Sequence, residues 1–563
     1  MIRGRPSPAS PAKPDGPAAP ATSSPPASAR HNIASAATLL MVALILSRLT
    51  GYFRQMLIPM RFGVGDLSDA YFLGFQIPDL MYQLLIGGSI QAALTPFLAG
   101  SLEKGEESKG WRSLSIFMNY TLILMGVAVA VGEICVGWLL PLIAGPRSAL
   151  VVTLSTEVAR VLFPSVMFIM LAGLCIGILN AYRRFGASAW GPTAYNLGCI
   201  ASLALLGSPS ATAVVRTAGG ILLAALGYFA LQFLLARREL AHYVPSLDAR
   251  DEGFRRIVRT ALPTIVSASI IQVNLIVLSA FAARFDAGSV SAMNLAITVW
   301  QLPYGVFAVA VGSAMLPSLA AKHAAGDRAE FRRMLTASLR GALFLTIPSA
   351  ALILPMRTDI VRALFQWNAG MSDEAVMRTG AVLAFYCIAI VSHTFVFLLN
   401  MAFYAMGRTR VPLLAGLVSL VANPLLCLLL TTATGLGVAG MALAYALSSV
   451  LSALFLFFWL RRKHPDHAPF VLTPFLVKSS VAALAALGAV LLLGLVPVPA
   501  VGKAVRFLWI GARAAVAGGL YLGVSAGLGL PEVRASYERI RKRFAGGPRK
   551  TAAPAGRNPI APG

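Results

Sequence analysis

The sequence predicts an all-α polytopic membrane protein with about 14 transmembrane helices, and three observations carry that reading. Of the 563 residues, 57% are hydrophobic and only 12% charged, with a mean hydropathy of +0.74; a soluble domain carries about 25% charged residues. Apolar runs of about 18 or more residues recur along the chain, each long enough for a helix to cross the hydrocarbon core. Lys and Arg alternate between rich and poor connections, the charge asymmetry of a chain threading a bilayer repeatedly. The roughly ten-residue alternation of a membrane β-barrel is absent.

The net charge of +25 does not point to nucleic acid. The cations sit in short loops and two tails rather than on a face interleaved with aromatics, and read as topology signals and contacts with anionic headgroups. Cys135, Cys175, Cys199, Cys387 and Cys427 all fall inside apolar runs, with no CxxC and no histidine pairing. They read as packing residues, so neither a metal nor a disulfide set is expected.

In chain order, residues 1–31 are rich in Pro, Ala and Ser and are expected to form a disordered cytoplasmic tail. No short apolar segment there precedes a small-residue cleavage site, so a cleavable signal peptide is not expected. Spans follow at 33–59, 67–99, 113–143, 153–181, 187–207, 214–236, 258–284, 289–319, 335–356, 377–403, 411–431, 437–460, 474–495 and 505–530. One set of connections holds Lys104, Lys109 and Arg112, then Arg183 and Arg184, Arg237 through Arg259, Lys322 through Arg333, Arg408 and Arg410, and Arg461 through Lys463. The alternate set is sparse, and both tails fall on the rich side, so both termini are expected in the cytoplasm. The basic C-terminal tail, 531–563, includes Arg539, Arg541, Lys542 and Arg543, and its first part, from Pro531 to Phe544, has the makings of an amphipathic surface helix.

Two pieces of the chain echo each other. Gln76-Ile77-Pro78 with Gly88-Ser89 and Pro96 resembles Gln301-Leu302-Pro303 with Gly312-Ser313 and Pro317. Leu179-Asn180 stands before Pro192 as Leu399-Asn400 stands before Pro412. The offsets, 225 residues from Pro78 to Pro303 and 220 from Pro192 to Pro412, separate the copies by six helices and keep both halves in one orientation. The expected architecture is two six-helix lobes, 32–237 and 238–463, around a central cavity, with two further helices over 464–530. Such a design supports alternating access at a midplane site.

Charge inside a span is expensive and faces a bundle interior or a water-filled cavity. Arg48 and Arg54 lie in the first span; Asp69 and Asp79 lie in the second. Six residues turn a helix by about 240° net and ten by about 280°, so neither pair shares a stripe. Cross-helix Arg–Asp pairing is one reading of all four. The other is one wall of a transport cavity for an anionic substrate, since a guanidinium matches phosphate geometry and stays charged when buried. Gln83, Gln272, Asn274 and Asn294 complete the candidate cavity set. Gly51, Pro78, Gly87, Gly88 and Pro303 are the candidate hinges. His393 reads as a packing histidine, and Asn180, Asn196, Asn400 and Asn423 as interhelical glue. There is no GxSxG, HExxH, P-loop or acidic metal-binding loop in the sequence, so no catalytic set and no cofactor are expected, and the energy for transport is expected from ions, the membrane potential or the substrate gradient.

The segments SRLTGYFRQ, FGVG and SDAYFLGFQIPDL resemble the MviN/MurJ family of lipid II flippases, within the multidrug/oligosaccharidyl-lipid/polysaccharide exporter superfamily. Residues 163–196, 288–320 and FYAMGRTRVP ending at Pro412 add to the resemblance, which spans about 33–530. It implies a bacterial inner-membrane protein, without enzymatic activity, that carries a polyprenyl-diphosphate-linked glycan, the peptidoglycan precursor lipid II first, from the cytoplasmic to the outer leaflet. The implied partners are that anionic lipid-linked glycan, membrane lipids and a coupling ion. Arg48 and Arg54 match the family's first-helix arginines and Asp69 its second-helix aspartate. The chain departs from the family at Tyr82, Gln83 and Gly87, where an Arg pair and a Glu are expected, and at Ile297 and Thr298, where an Asp-Arg pair is expected. These departures keep open the export of another lipid-linked polysaccharide unit. The rivals are a small-molecule antiporter of the same superfamily, an integral membrane glycosyltransferase and a non-transporting scaffold; the second would need acidic metal ligands that the loops do not supply.

Overall fold

The computed structural model describes residues 27–85, 89–145, 148–469, 472–495 and 502–533, and every regular element among them is helical. The first half of the chain runs α1 (Ala27–Phe62), α2 (Asp66–Leu85), α3 (Ser89–Glu103), α4 (Glu107–Ala144), α5 (Ala149–Ala181), the short α6 (Phe185–Ala189), α7 (Gly191–Leu206) and α8 (Ala211–Ala236). Then come α9 (Glu252–Ala282), α10 (Ser289–Pro303), a π-helical turn over Tyr304–Val309, α11 (Ala310–Ala324), α12 (Arg328–Phe365), α13 (Asp373–Ala405), α14 (Arg410–Ala433) and α15 (Val438–Lys463). Finally, α16 (Thr473–Gly494) and α17 (Lys503–Gly527) form a hairpin against α12. Ten helical segments among the described residues are long and apolar enough to cross a membrane.

Three boundaries differ from the sequence expectation. Helix α1 begins at Ala27, inside the expected tail, because Ala27 and Ala29 continue the helix beyond its apolar stretch. The expected span over 67–99 is divided into α2 and α3; Gly87 and Gly88 lie outside the described residues. The expected span over 187–207 is divided at Trp190, where Pro192 near the start of α7 makes a helix start. The amphipathic helix expected from Pro531 to Phe544 lies outside the described residues beyond Val533.

In the first half α5 is the central strut, packed on α2, α3, α4 and α8, with α7 bridging α1 and α8. Its approach to α2 depends on Gly74, where a Cβ would lie 2.6 Å from Val158. In the second half α13 takes the same role, packed on α10, α11, α12 and α15. His393 on α13 lies in an aromatic cluster, stacked on Tyr445 with ring centroids 5.1 Å apart and facing Trp300 at 5.2 Å, and its buried Nε2 has no hydrogen-bond partner among the described residues.

The cores show which end of the bundle is shut. Around the ends joined by Lys/Arg-poor connections, one continuous apolar cluster takes in Phe62, Leu140, Leu203 and Val214 from the first half and Val290, Phe365, Met371 and Val438 from the second. At the opposite end there are two clusters: one joins Trp111, Leu114 and Leu174 to Ile257 and Ala261 of α9, and the other holds Phe331, Leu398 and Leu456. Because apolar burial is roughly proportional to area removed from water, the large shared cluster holds the halves together at the poor end, while at the rich end α9 is the element of the second half that packs on α3 and α4.

Candidate functional site

Between the halves lies a cavity of about 430 Å³. Arg54, Gln55 and Ile58 of α1, the face of α2 from Tyr71 to Tyr82, and Tyr195 of α7 line it on one side. Gln272 and Ser279 of α9 and Asn294 of α10 face them from the other. A mostly apolar cavity with a few convergent polar groups is the usual form of a ligand site.

Arg54 carries the one positive charge among the described lining residues, and Asp79 the one negative. Neither has an ion-pair partner within 4.0 Å among the described residues. Arg54 stands beside Tyr71, Tyr195 and Cys199. Asp79 is exposed to the cavity and accepts a 3.3 Å hydrogen bond from Gln272 Nε2, a tie across the two halves. Both helices that carry these charges are shaped for it. Pro78 lacks an N–H and disturbs α2 next to Asp79, and α1 keeps Arg54 four residues from Ile58, where the closed apolar end begins.

The structure gathers Arg54, Asp79, Gln272, Asn294 and the hinge candidate Pro78 around this one cavity. Four expected members lie elsewhere. Asp69 is fully buried at the closed end, where it accepts hydrogen bonds from Gly288 N (2.9 Å), Ser291 N (2.8 Å) and Ser291 Oγ (2.6 Å) at the start of α10. It is a staple between halves, made favourable by the partial positive charge of a helix N-terminus. Asn274 is buried in the α9–α14 seam, accepting from Asn423 Nδ2 at 2.6 Å and donating to Ser419 Oγ at 3.3 Å. Gln83 follows Tyr82 but is outside the lining. Arg48 is exposed, its guanidinium against the π-helical turn; a Cβ on Gly305 would come within 2.5 Å of its Nη1. Gly51 packs by Asn196, 3.5 Å from where its Cβ would stand, and Pro303 closes α10 just before that turn.

Several lining groups were not singled out from sequence. Gln55 and Gln76 each point a buried amide oxygen at no partner among the described residues. An unsatisfied buried polar atom costs about 1–3 kcal/mol, so these two stand ready for a ligand's donors. Tyr71 and Tyr82 of α2, Tyr195 of α7 and Tyr228 of α8 add aromatic faces with polar tips. Only Gln76 had a local signal, its place before Ile77-Pro78 in the repeat.

The closed end carries further cross-contacts. Val64 N donates to Gly370 O at 2.9 Å and Asn368 Nδ2 to Met60 O at 2.6 Å. A two-part helical bundle with a polar cavity between its parts, sealed at one end by a shared apolar core, is the build of a membrane transporter. The chain belongs to the lipid II flippase MurJ family, whose model matches residues 58–511. It is 28% identical over 432 residues to the lipid II flippase MurJ of Burkholderia cenocepacia, covering 74% of this chain and 82% of that one. It is 27% identical over 386 residues to a probable lipid II flippase MurJ of Buchnera aphidicola, covering 68% and 75%. Among solved structures it resembles a lipid II flippase MurJ in an inward closed conformation, with a TM-score of 0.73 and 22% identity over 89% of this chain and 99% of that one. It also resembles an inward-facing multidrug transporter of the MATE family, with a TM-score of 0.62 and 15% identity over 75% and 98%.

Proposed function

We propose that this protein carries lipid II, a polyprenyl-diphosphate-linked glycan, from the cytoplasmic to the outer leaflet of the bacterial inner membrane by alternating access. The observation that carries the reading is Arg54, a guanidinium without a carboxylate partner in a cavity rimmed by tyrosines and by two glutamines with unmatched amide oxygens. A guanidinium donates in a planar fork to phosphate oxygens, while the glutamines and tyrosines meet sugar and peptide polar groups. The polyprenyl tail stays in the bilayer while the headgroup crosses.

In this reading the chain makes fourteen passes and has both termini in the cytoplasm. Its lobes are 32–237 and 238–463, with 464–530 as an accessory pair flanked by tails 1–31 and 531–563. The Lys/Arg-rich end then faces the cytoplasm, and the headgroup enters from inside. The shared apolar cluster and the Asp69 staple form the outer gate. Release requires that gate to part, and a coupling ion or the membrane potential biases the exchange. The protein acts as a carrier and makes or breaks no covalent bond.

One observation favours a second substrate. The charges of Arg54 and Asp79 offset each other in the cavity, and Tyr82 and Ile297 line it where the resemblance implies charged groups. A lipid-linked glycan with a less anionic headgroup fits that balance. Depletion of the protein in its own host, with lipid II measured in each leaflet, tests both readings. Lipid II accumulating inside supports the first; normal lipid II with another lipid-linked glycan stalled inside supports the second. No change in any such lipid overturns both.

A further inference from the structure

At the Lys/Arg-rich end of the second half, two adjoining cavities of about 280 and 570 Å³ share Arg408, Lys463 and His464. The smaller is basic, bounded also by His323, His467 and the Arg328–Asp466 ion pair, 2.6 Å across. The larger adds Arg410 and then runs along Val411, Leu414 and Trp459, between the first turns of α14 and the last turns of α15.

The charge here is uncompensated. Arg408, Arg410 and Lys463 have no carboxylate within 4.0 Å and no side-chain hydrogen bond among the described residues. The matching connection of the first half is neutralised instead: Arg183 pairs with Glu103 at 3.1 Å and Arg184 with Glu239 at 2.6 Å. Helix α14 starts at Arg410 with no acidic residue in its first turn and no side-chain cap from Thr409, so no carboxylate there offsets the positive end of its dipole. By contrast α9 and α12 begin on capping aspartates, Asp251 and Asp327. Burial first, then the field of Arg408 and His323, holds the His464 imidazole below its ordinary range. An anion is the missing component, and the apolar slot beside it says what the anion is attached to. Leu414 is 39% exposed, and Trp459 lies one helical turn before Lys463, in the order an interfacial aromatic and a snorkelling cation take.

We propose that this site holds the phosphate of an anionic glycerophospholipid from the adjoining leaflet, with Arg408, Arg410 and Lys463 on the phosphate and the acyl chains descending past Leu414 and Trp459. The site is separate from the central cavity and does not depend on the identity of the transported glycan. A bound lipid bridges α14 and α15 where both helices leave the membrane, and neutralises the start of α14.

The test uses the full chain in nanodiscs of phosphatidylcholine with and without phosphatidylglycerol, reading retained phosphatidylglycerol by native mass spectrometry after detergent extraction. The triple variant R408Q/R410Q/K463Q is expected to lose at least tenfold in affinity for phosphatidylglycerol. R237Q/R238Q/R250Q removes as many exposed cations from the connections at the same end of the first half and is expected to keep it. Equal losses in the two triples would reduce the effect to diffuse surface charge and overturn the proposal. Full competition by inorganic phosphate would overturn it as well, since the site would then hold a free ion. Should the first triple fail to accumulate, the unmodified protein decides: amine labelling of Lys463, relative to Lys104, is expected to slow at least fivefold when phosphatidylglycerol is present, and an unchanged ratio refutes the site.

Discussion

Asp69→Asn should open the closed end of the bundle while leaving the rest of the protein folded. The Asp69 carboxylate accepts from two backbone N–H groups and a hydroxyl at 2.6 to 2.9 Å, with no exposure to solvent. Asparagine keeps the shape but has one acceptor oxygen, so its amide nitrogen must face either Gly288 N or Ser291 N. That leaves a buried donor unmatched, at about 1–3 kcal/mol. Loss of the negative charge from the α10 N-terminus adds about 0.3–1 kcal/mol, or up to about 2 kcal/mol for a buried group. A total of about 2–4 kcal/mol shifts the closed-to-open equilibrium roughly 30- to 700-fold towards opening, at about 1.4 kcal/mol per factor of ten. Val64, whose N–H bonds Gly370 O across the gate, offers a reporter. A cysteine at that position, with the native cysteines replaced, should react with a membrane-impermeant maleimide at least tenfold faster in the Asp69→Asn background. An unchanged rate in a protein that accumulates normally would refute the staple.

Arg54→Ala should lower transport about 100-fold without loss of accumulation, because one or two charge-assisted hydrogen bonds to phosphate are worth about 3 kcal/mol together; an uptake assay beside an immunoblot checks both halves. Arg513, 5% exposed, holds Asp359 at 2.9 Å and Val490 O at 3.1 Å and so ties α17 to α12 and α16. Arg513→Ala should cost about 2–3 kcal/mol, below the range for a fully buried pair because Asp359 keeps some solvent, and the double variant Arg513→Met with Asp359→Leu should recover most of it in thermal unfolding. Stability should fall as pH drops below about 6.5, the ordinary histidine value. Burial first and then neighbouring His323 depress the His467 imidazole, so the unfolded chain binds more protons than the folded one from that pH down to the folded value. His467→Gln should flatten this slope in melts taken between about pH 7.5 and 5.

The sequence was most informative where physics acts locally. Hydropathy located the long apolar helices, ten of which among the described residues are long and apolar enough to cross a membrane; the Gln-x-Pro and Asn-to-Pro echoes suggest two halves, and α5 and α13 each pack centrally on four neighbours. Charge in a span is legible from sequence because it is too costly to face lipid: Arg54 and Asp79 both line the cavity, although sequence alone leaves cross-helix pairing open. Asp69 obeyed the same rule for another reason, since a buried helix N-terminus satisfies a carboxylate as well as a cavity does, and nothing local tells the two apart. Its position in the first turn of α2, at the end of the bundle, was the available hint. Asn274 reads as a cleft residue and Asn423 as glue, yet the two bond each other, because which face an amide presents depends on the helix packed against it. The four tyrosines come from three helices: Tyr71 and Tyr82 share one face of α2, but Tyr195 of α7 and Tyr228 of α8 join them only in three dimensions, which no spacing reveals.

The central claim is that the cavity around Arg54 accepts the diphosphate of lipid II and delivers it across the bilayer. Purified protein in proteoliposomes, loaded with fluorescent lipid II in one leaflet and probed by a membrane-impermeant quencher, tests it most directly. The account predicts that the unmodified protein moves lipid II between leaflets and that Arg54→Ala, equally reconstituted, does not. Transport of lipid II by Arg54→Ala at the unmodified rate would contradict it.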